Sequence, residues 1–380
     1  MYRIPFAKPF IVGKELRYMA QAVTLGNIAA DGHFTRECSE FLEGLSGSPR
    51  VLMTPSCTSA LEMAALLCRL EEGDEVILPS YTFVSTANCF VHSGARPVFV
   101  DVRPDTLNLD ESLIEEAVTP RTRAIFVVHY AGVSCEMDPI MEIAKRHGLR
   151  VVEDAAQGVN ATYHGRPLGG IGDLGTYSFH ETKNFTCGEG GALCINDPEL
   201  VARAEIIRDK GTNRQAFNRG EIGKYTWVDH GSSHVPSELS CAFLLAQLEQ
   251  MDLITQRRRE VYERYLDGLT PLGAAGVLIL PKTPPSCEIN YHMFQILLAD
   301  TPTRSALIDH LKQRGILAVF HYVPLHLAPM GRRYGWKEGD LPVTEEMAGR
   351  LLRLPFYFEL SAEEQDEVIG AVREFFENRS

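Results

Sequence analysis

A lysine stands where an apolar run gives way to glycines, and its chemistry depends on what surrounds it. Residues 178–191 read SFHETKNFTCGEGG, with Lys183 five residues past Ser178. A lysine amine becomes a nucleophile able to form a Schiff base when an apolar setting or a neighbouring cation lowers its pKa. Most lysines are simply solvated, so position alone decides nothing. No Gly-Lys-Ser/Thr follows the glycines, which removes nucleotide hydrolysis on a phosphate loop. The run CGEGG reads instead as a place where backbone can approach a ligand.

Three other segments carry groups that could act with such a lysine. In TPSCTSALE, small residues including Cys57, Thr58 and Ser59 precede a helix whose first amides and dipole suit a phosphate dianion. Ser59 and Glu62 have capping-box spacing, and Ser56 or Thr58 could equally be the cap. In PSYTFVSTAN, the flat side chains of Tyr81 and Phe83 follow an apolar run; both could also be core aromatics. In VVEDAAQ, Glu153 and Asp154 follow two valines, so at least one carboxylate lies near a buried strand end and needs a partner. A pyridinium N–H is one such partner, and a helix N-cap by Asp154 is the other reading.

The elements that must position these groups are legible as a pattern. VLMTPS, DEVILPS, RPVFVDV, RAIFVVHY, LRVVEDAA, GTYSFH and ALCIN read as strands, and helical periodicity fills the gaps between the first five. Such alternation implies parallel crossovers and a sheet covered on both faces. Ligands bind beyond the carboxyl ends of the strands in such sheets, where all four segments fall. Phosphate cradle, aromatic plane, acid and lysine, in that order, are the parts pyridoxal phosphate needs. Past residue 245 a long helix, LEQMDLITQRRREVYERYLDGL, leads to a strand HMFQILL, a helix RSALIDHLKQRG, a strand AVFHYV and a final helix EEQDEVIGAVREFFEN. The chain is thus expected to form a large α/β domain over residues 1–245, with an N-terminal arm, and a smaller α+β domain over 246–380.

Composition bounds the setting. The 380 residues are 45% hydrophobic and 23% charged, with a net charge of -13, which argues against nucleic acid as the main partner. No apolar run is long enough to cross a membrane, and MYRIPFAKPFIVG lacks the layout of a secretory signal. The nine cysteines include no CxxC pair, which fits a reducing cytoplasm better than a disulfide framework or a metal site.

The order TPSCTSALE, PSYTFVSTAN, EDAAQ and SFHETKN resembles the sugar aminotransferases of the DegT/DnrJ/EryC1/StrS family along essentially the whole chain. The resemblance implies the aspartate-aminotransferase-like type I fold, pyridoxal 5'-phosphate as cofactor, L-glutamate as amino donor and a homodimer with active sites at its interface. It assigns Lys183 as the Schiff-base lysine and proton carrier, Asp154 as the partner of the pyridine nitrogen, and Gln157 beside the ring or its 3-oxygen. Phe83 stacks on the ring in this reading, Cys57, Thr58, Ser59 and Ser178 share the phosphate, and His180 lies close by. Further stretches, among them FVDVRPDTLNLDESLIEEA, KYTWVDHGSS, VFHYVPLH and RLLRLP, resemble members that aminate a TDP-4-ketosugar. Many relatives reach the partner subunit's phosphate with an asparagine in a GxNxR stretch; here GSSHVPSE puts Ser233 at that place, with no arginine after it. Family members that dehydrate sugars carry histidine in place of the lysine, and this chain has Lys183.

Substrate contacts are sought in two places. The stretch from Arg208 to Lys224 is locally basic and includes Lys210 and Arg214, suited to a diphosphate. FHYVPLH gathers His321, Tyr322 and His326, which read as sugar or nucleotide contacts because no third ligand makes a metal site.

Overall fold

The computed structural model describes residues 2–378. Seven strands form its main sheet: β1 (Arg50–Thr54), β2 (Glu75–Pro79), β3 (Arg96–Val100), β4 (Thr122–Val128), β5 (Arg150–Asp154), β6 (Leu174–Ser178) and β7 (Gly191–Ile195). Each coincides with one of the seven apolar runs, beginning at most one residue before it. Their order across the sheet is β1-β7-β6-β5-β4-β2-β3. β7 runs antiparallel to both of its neighbours, and the remaining pairs are parallel.

The strands are continuously apolar because both faces of the sheet are covered. Ile77, Ile125, Val127 and Val151 belong to one buried cluster. The alternate residues Val76, Leu78, Phe126 and Val152 belong to a second. The two-residue period of a strand thus sends successive side chains into two separate layers.

The C-terminal part has its own core, in which Tyr265, Phe294, Leu311, Leu352 and Val368 are buried together with Ile4 of the N-terminal arm. Ile4 donates its amide to Gly315 O at 3.0 Å and accepts from Leu317 N at 3.0 Å. Phe6 O accepts from Phe356 N at 3.0 Å, and Phe6 joins the lining of the main cleft.

The long helix expected over Leu248–Leu269 is present as Met251–Ala274, separated from the preceding helix Glu238–Leu248 at Glu249–Gln250 and continuing through Pro271. One expectation about elements changes here. AVFHYV is not a strand: Val319 alone exchanges backbone hydrogen bonds with Arg353, at 2.8 and 3.1 Å. Arg353 ends the short strand Leu351–Arg353, which pairs antiparallel with Gln295–Leu297. Among the described residues, no helix is long and apolar enough to cross a membrane.

Candidate active site

Val128, Asp154 and Ser178, the last residues of β4, β5 and β6, open together into a cleft of about 570 Å³. Lys183 stands in its wall, half-buried. Burial holds its ammonium below the usual lysine range and the Arg353 charge adds to this, while Cys57 and Asp154 act in the opposite sense. Its loop is closed at the base by Phe179 N to Gly190 O and Cys187 N to Phe179 O, both 2.9 Å. The antiparallel pairing of β6 with β7 therefore fixes both ends of the lysine loop.

The two carboxylates of VVEDAAQ separate. Asp154 lines the cleft, accepting from Thr86 Oγ1 at 2.7 Å through Oδ2 and from Ala156 N at 3.2 Å through Oδ1. Residues 156–160 form a turn, so Asp154 caps no helix. Glu153 is completely buried. It accepts from the amides of Gly169 (2.8 Å), Ile171 and Gly172 (both 2.6 Å), and its Oε2 lies 2.9 Å from His129 Nε2. Because the Cys135 amide donates to His129 Nδ1 at 3.2 Å, Nε2 is the protonated nitrogen and donates to Glu153.

Against the return of the lysine loop the helix Cys57–Leu67 begins. Ser56 is its cap, accepting from Ser59 N at 3.1 Å, and no capping box forms between Ser59 and Glu62. The amides of Cys57 and Thr58 have no acceptor inside the helix. Thr58 Oγ1 lies 2.8 Å from Ser85 Oγ, and burial pushes the Cys57 thiol well up, keeping it protonated. Ser178 Oγ accepts weakly from His180 N at 3.5 Å. A Cβ on Gly191 would sit 2.4 Å from Cys57 N and from Ser56 C. This glycine lets β7 lie directly against the helix start, so the close approach is to protein backbone.

Phe83 is 56% exposed and borders the cleft, whereas Tyr81 is buried in the core. Gln157 is oriented by the Ala131 amide, which donates to Oε1 at 2.7 Å, and its Nε2 donates to Tyr322 OH at 3.0 Å. Tyr322 stacks on His321 with ring centroids 3.6 Å apart. His321 Nδ1 lies 2.7 Å from Tyr130 OH, and burial, with Arg353 adding to it, holds the imidazole down to about 2 and therefore neutral. His180 also lines the cleft, its Nδ1 2.9 Å from Thr182 Oγ1.

Five of the named residues lie elsewhere. The Ser59 hydroxyl faces His234 Nδ1, leaving only its backbone near the helix start. His326 is buried between Ser80 Oγ (2.7 Å) and Glu345 Oε1 (3.0 Å), outside the cleft lining. Lys210 Nζ donates to Asp209 at 3.0 Å and Arg214 lies 4.0 Å from the same carboxylate, both on the exterior. Ser233 is exposed and bridges Asp209 through its backbone. The basic stretch is largely neutralised by its neighbours: Arg208 pairs with Asp31, and Arg219 with Glu205 and Glu221.

The cleft also holds residues that the sequence reading did not pick out, above all His292 and Arg353. Burial, with the charge of Lys183 adding to it, keeps His292 neutral, and its Nδ1 lies 2.9 Å from Asn184 Oδ1. Arg353 interrupts the apolar run Leu351-Leu352-Arg353-Leu354, a signal visible in the sequence.

A mostly parallel seven-stranded sheet with one antiparallel strand, a lysine loop after β6 and an acid ending β5 define the type I fold of pyridoxal-phosphate-dependent aminotransferases. Residues 10–373 match the DegT/DnrJ/EryC1/StrS aminotransferase family, and the chain belongs to it. It is 34% identical over 382 residues to the spore coat polysaccharide biosynthesis protein SpsC of Bacillus subtilis, covering 98% of this chain and 96% of that one. It is also 34% identical to GDP-perosamine synthase of Caulobacter vibrioides, with 97% of each chain covered. Among solved structures, the PMP-form of the putative sugar aminotransferase Spr1654 from Streptococcus pneumoniae superposes with a TM-score of 0.92 at 27% identity, covering 99% of this chain and 100% of that one.

Proposed function

We propose that this aminotransferase moves the amino group of L-glutamate to C4 of TDP-4-oxo-6-deoxy-D-glucose, giving TDP-4-amino-4,6-dideoxy-D-galactose for a surface polysaccharide such as enterobacterial common antigen. The observation that carries the reading is one cleft holding Lys183, Asp154 and the start of the helix Cys57–Leu67. Support for the acceptor comes from the stretches that resemble TDP-ketosugar enzymes, and for the pathway from the spore coat polysaccharide relative.

The residues fit the cofactor. The amides of Cys57 and Thr58, free of helix acceptors, and the Ser178 hydroxyl take its phosphate. Asp154 offers an acceptor to its ring nitrogen. The exposed Phe83 ring is available to lie against it, and Gln157 presents its side chain from the Tyr322 side. When bound, pyridoxal phosphate supplies the sink for the electron pair left by a broken Cα–H bond. Lys183 tethers it and, once free, takes the donor's Cα proton on Nζ; the lowered pKa gives Nζ a larger neutral fraction for that task. In the acceptor half-reaction the same Nζ returns a proton to the sugar carbon that gains the amine. His321 and Tyr322 border the space left for the sugar.

A homodimer gives the exposed side chains of Leu16, Val23, Trp227 and Val228 a partner surface, and it is where Lys210, Arg214 and Ser233 could meet a second active site. The nine free cysteines favour a reducing cytoplasm.

The deciding experiment incubates the purified protein with L-glutamate and TDP-4-oxo-6-deoxy-D-glucose and identifies the product by NMR. A 4-amino galacto-configured sugar is the expected product. A 4-amino gluco product, or no amination of this sugar, refutes the substrate assignment. A 3-deoxysugar formed without glutamate turnover makes the enzyme a dehydratase.

A further inference from the structure

The two groups that donate to the Asp154 carboxylate among the described residues differ in kind. The Ala156 amide is local, two residues along the chain, at 3.2 Å. The Thr86 hydroxyl comes from 68 residues away, at 2.7 Å. That length is in the range of charge-assisted O–H bonds, which are roughly twice as strong as neutral ones. Thr86 belongs to the helix Ser85–Val91, which follows β2. Because β2 and β5 flank β4, the bond reaches across the end of the strand between them. A helical threonine often turns its hydroxyl to the carbonyl four residues back. Thr86 turns it to Asp154.

The direction of the protons follows from the acceptor. A carboxylate only accepts, so Thr86 gives its single proton to Asp154. Thr82 Oγ1 lies 2.8 Å from Thr86 Oγ1. Thr86 has no second proton to give, so Thr82 is the donor there. The result is a chain from Thr82 through Thr86 to Asp154, in which each bond polarises the next. Thr86 is 0% and Thr82 2% exposed, so water does not compete for either hydroxyl. Thr82 lines the cleft, whereas Thr86 lies outside its lining and meets a ligand through Asp154 alone. Ser85, the preceding residue, turns instead to Thr58, with 2.8 Å between the hydroxyl oxygens.

We infer that Thr86, backed by Thr82, is the positioning residue for Asp154. With Thr86 on Oδ2 and Ala156 on Oδ1, the carboxylate is held against rotation and each oxygen keeps a lone pair for a ligand N–H. The amide alone would fix one oxygen and leave the other free to turn. The inference rests on the proposed role of Asp154 toward the cofactor's ring nitrogen, and not on which sugar is aminated.

The test is calorimetric binding of two ligands to the cofactor-free full chain: pyridoxamine 5'-phosphate and its 1-deaza analogue, in which carbon replaces the ring nitrogen. Neither carries an aldehyde, so neither reacts with Lys183. The preference of wild type for the nitrogen-bearing ligand measures the contact with Asp154. Thr86→Val, which replaces the hydroxyl by a methyl, is expected to cut that preference about 10-fold, and Thr86→Ser to restore most of it. Thr82→Val, one bond further back, should cut it by about 2- to 3-fold. Asp154→Asn is the reference and should cut it at least as far as Thr86→Val does. Ser85→Ala should weaken both ligands alike. Thermal unfolding shows which variants are folded. A folded Thr86→Val that keeps the wild-type preference, while Asp154→Asn loses it, overturns the inference and leaves the role of the acid standing. Equal weakening of both ligands by Thr86→Val marks an effect of packing and also overturns it, as does a cut in preference in Ser85→Ala. An unchanged preference in Asp154→Asn removes the acid from the ring nitrogen, and the inference falls with that reading.

Discussion

Glu153 and Asp154 are neighbours on one strand, carry the same functional group, and end in opposite surroundings. On the closed side of the sheet, Glu153 is saturated by three backbone amides and the imidazole of His129. On the cleft side, Asp154 has one hydroxyl and one amide and faces open space. A carboxylate with its lone pairs taken can organise a loop, here residues 169–172, and can do nothing to a ligand. One with acceptor capacity to spare can hold a ligand's N–H. The number of unsatisfied lone pairs, more than the residue type, separates a structural acid from a site acid.

This contrast can be broken experimentally. The largest effect belongs to the lysine that shares the cleft with Asp154: Lys183→Ala should lower transamination by about 10⁴-fold, measured as amine product formed, with the thermal midpoint nearly unchanged. Asp154→Asn should cost about 10²–10³-fold in turnover and little stability. Glu153→Gln should do the reverse. Its amide turns a donor toward amides that already donate, so denaturant unfolding should show a loss of about 3 kcal/mol while the folded fraction still turns over. If Glu153→Gln abolished turnover at unchanged stability, the division between the two sides of the sheet would be wrong.

The same logic sharpens the reading of the histidines. His326→Ala removes a side chain tied to Ser80 and Glu345, and should cost about 1–3 kcal/mol of stability without raising either KM. The smallest effect concerns pH. Burial and the Arg208 charge hold His234 down to about 4, so the unfolded chain takes up its proton first, near 6.5, and the folded chain only near 4. Between those values the unfolded state binds more protons, so this residue weakens the fold as pH falls through that window. His234→Asn should flatten the thermal midpoint against pH between 6.5 and 4; an unchanged slope would remove the residue from that account.

Much of the frame was legible because burial on both faces turns strands into apolar runs, and because ligands collect at strand ends. That sufficed to find all seven strands, and Lys183 and Asp154 then fall in one cleft. The same property hid the side assignments: where both faces are apolar, the two-residue period has no polar phase to show which of Glu153 and Asp154 points outward. Arg353 and His292 reach the cleft from the far end of the chain, beyond any local spacing. Lys210 and Arg214 were singled out as local charge, yet an excess counted along the chain ignores that Asp209 sits between them in space. AVFHYV is apolar enough for a strand, but meets its partner at a single residue before Pro324 intervenes.

The hairpin that carries Lys183 has a mechanical corollary. Its two stems are clamped into adjoining strands, and the first residue of the returning stem, Gly191, abuts the backbone of Ser56 and Cys57. The amine therefore hangs from a bracket of set span, bolted to the same wall that begins the Cys57–Leu67 helix. Adding or removing one residue between Phe179 and Gly190 would shift the reach of the arm by more than a side chain can make good, so this short stretch should tolerate changes of letter far better than changes of length.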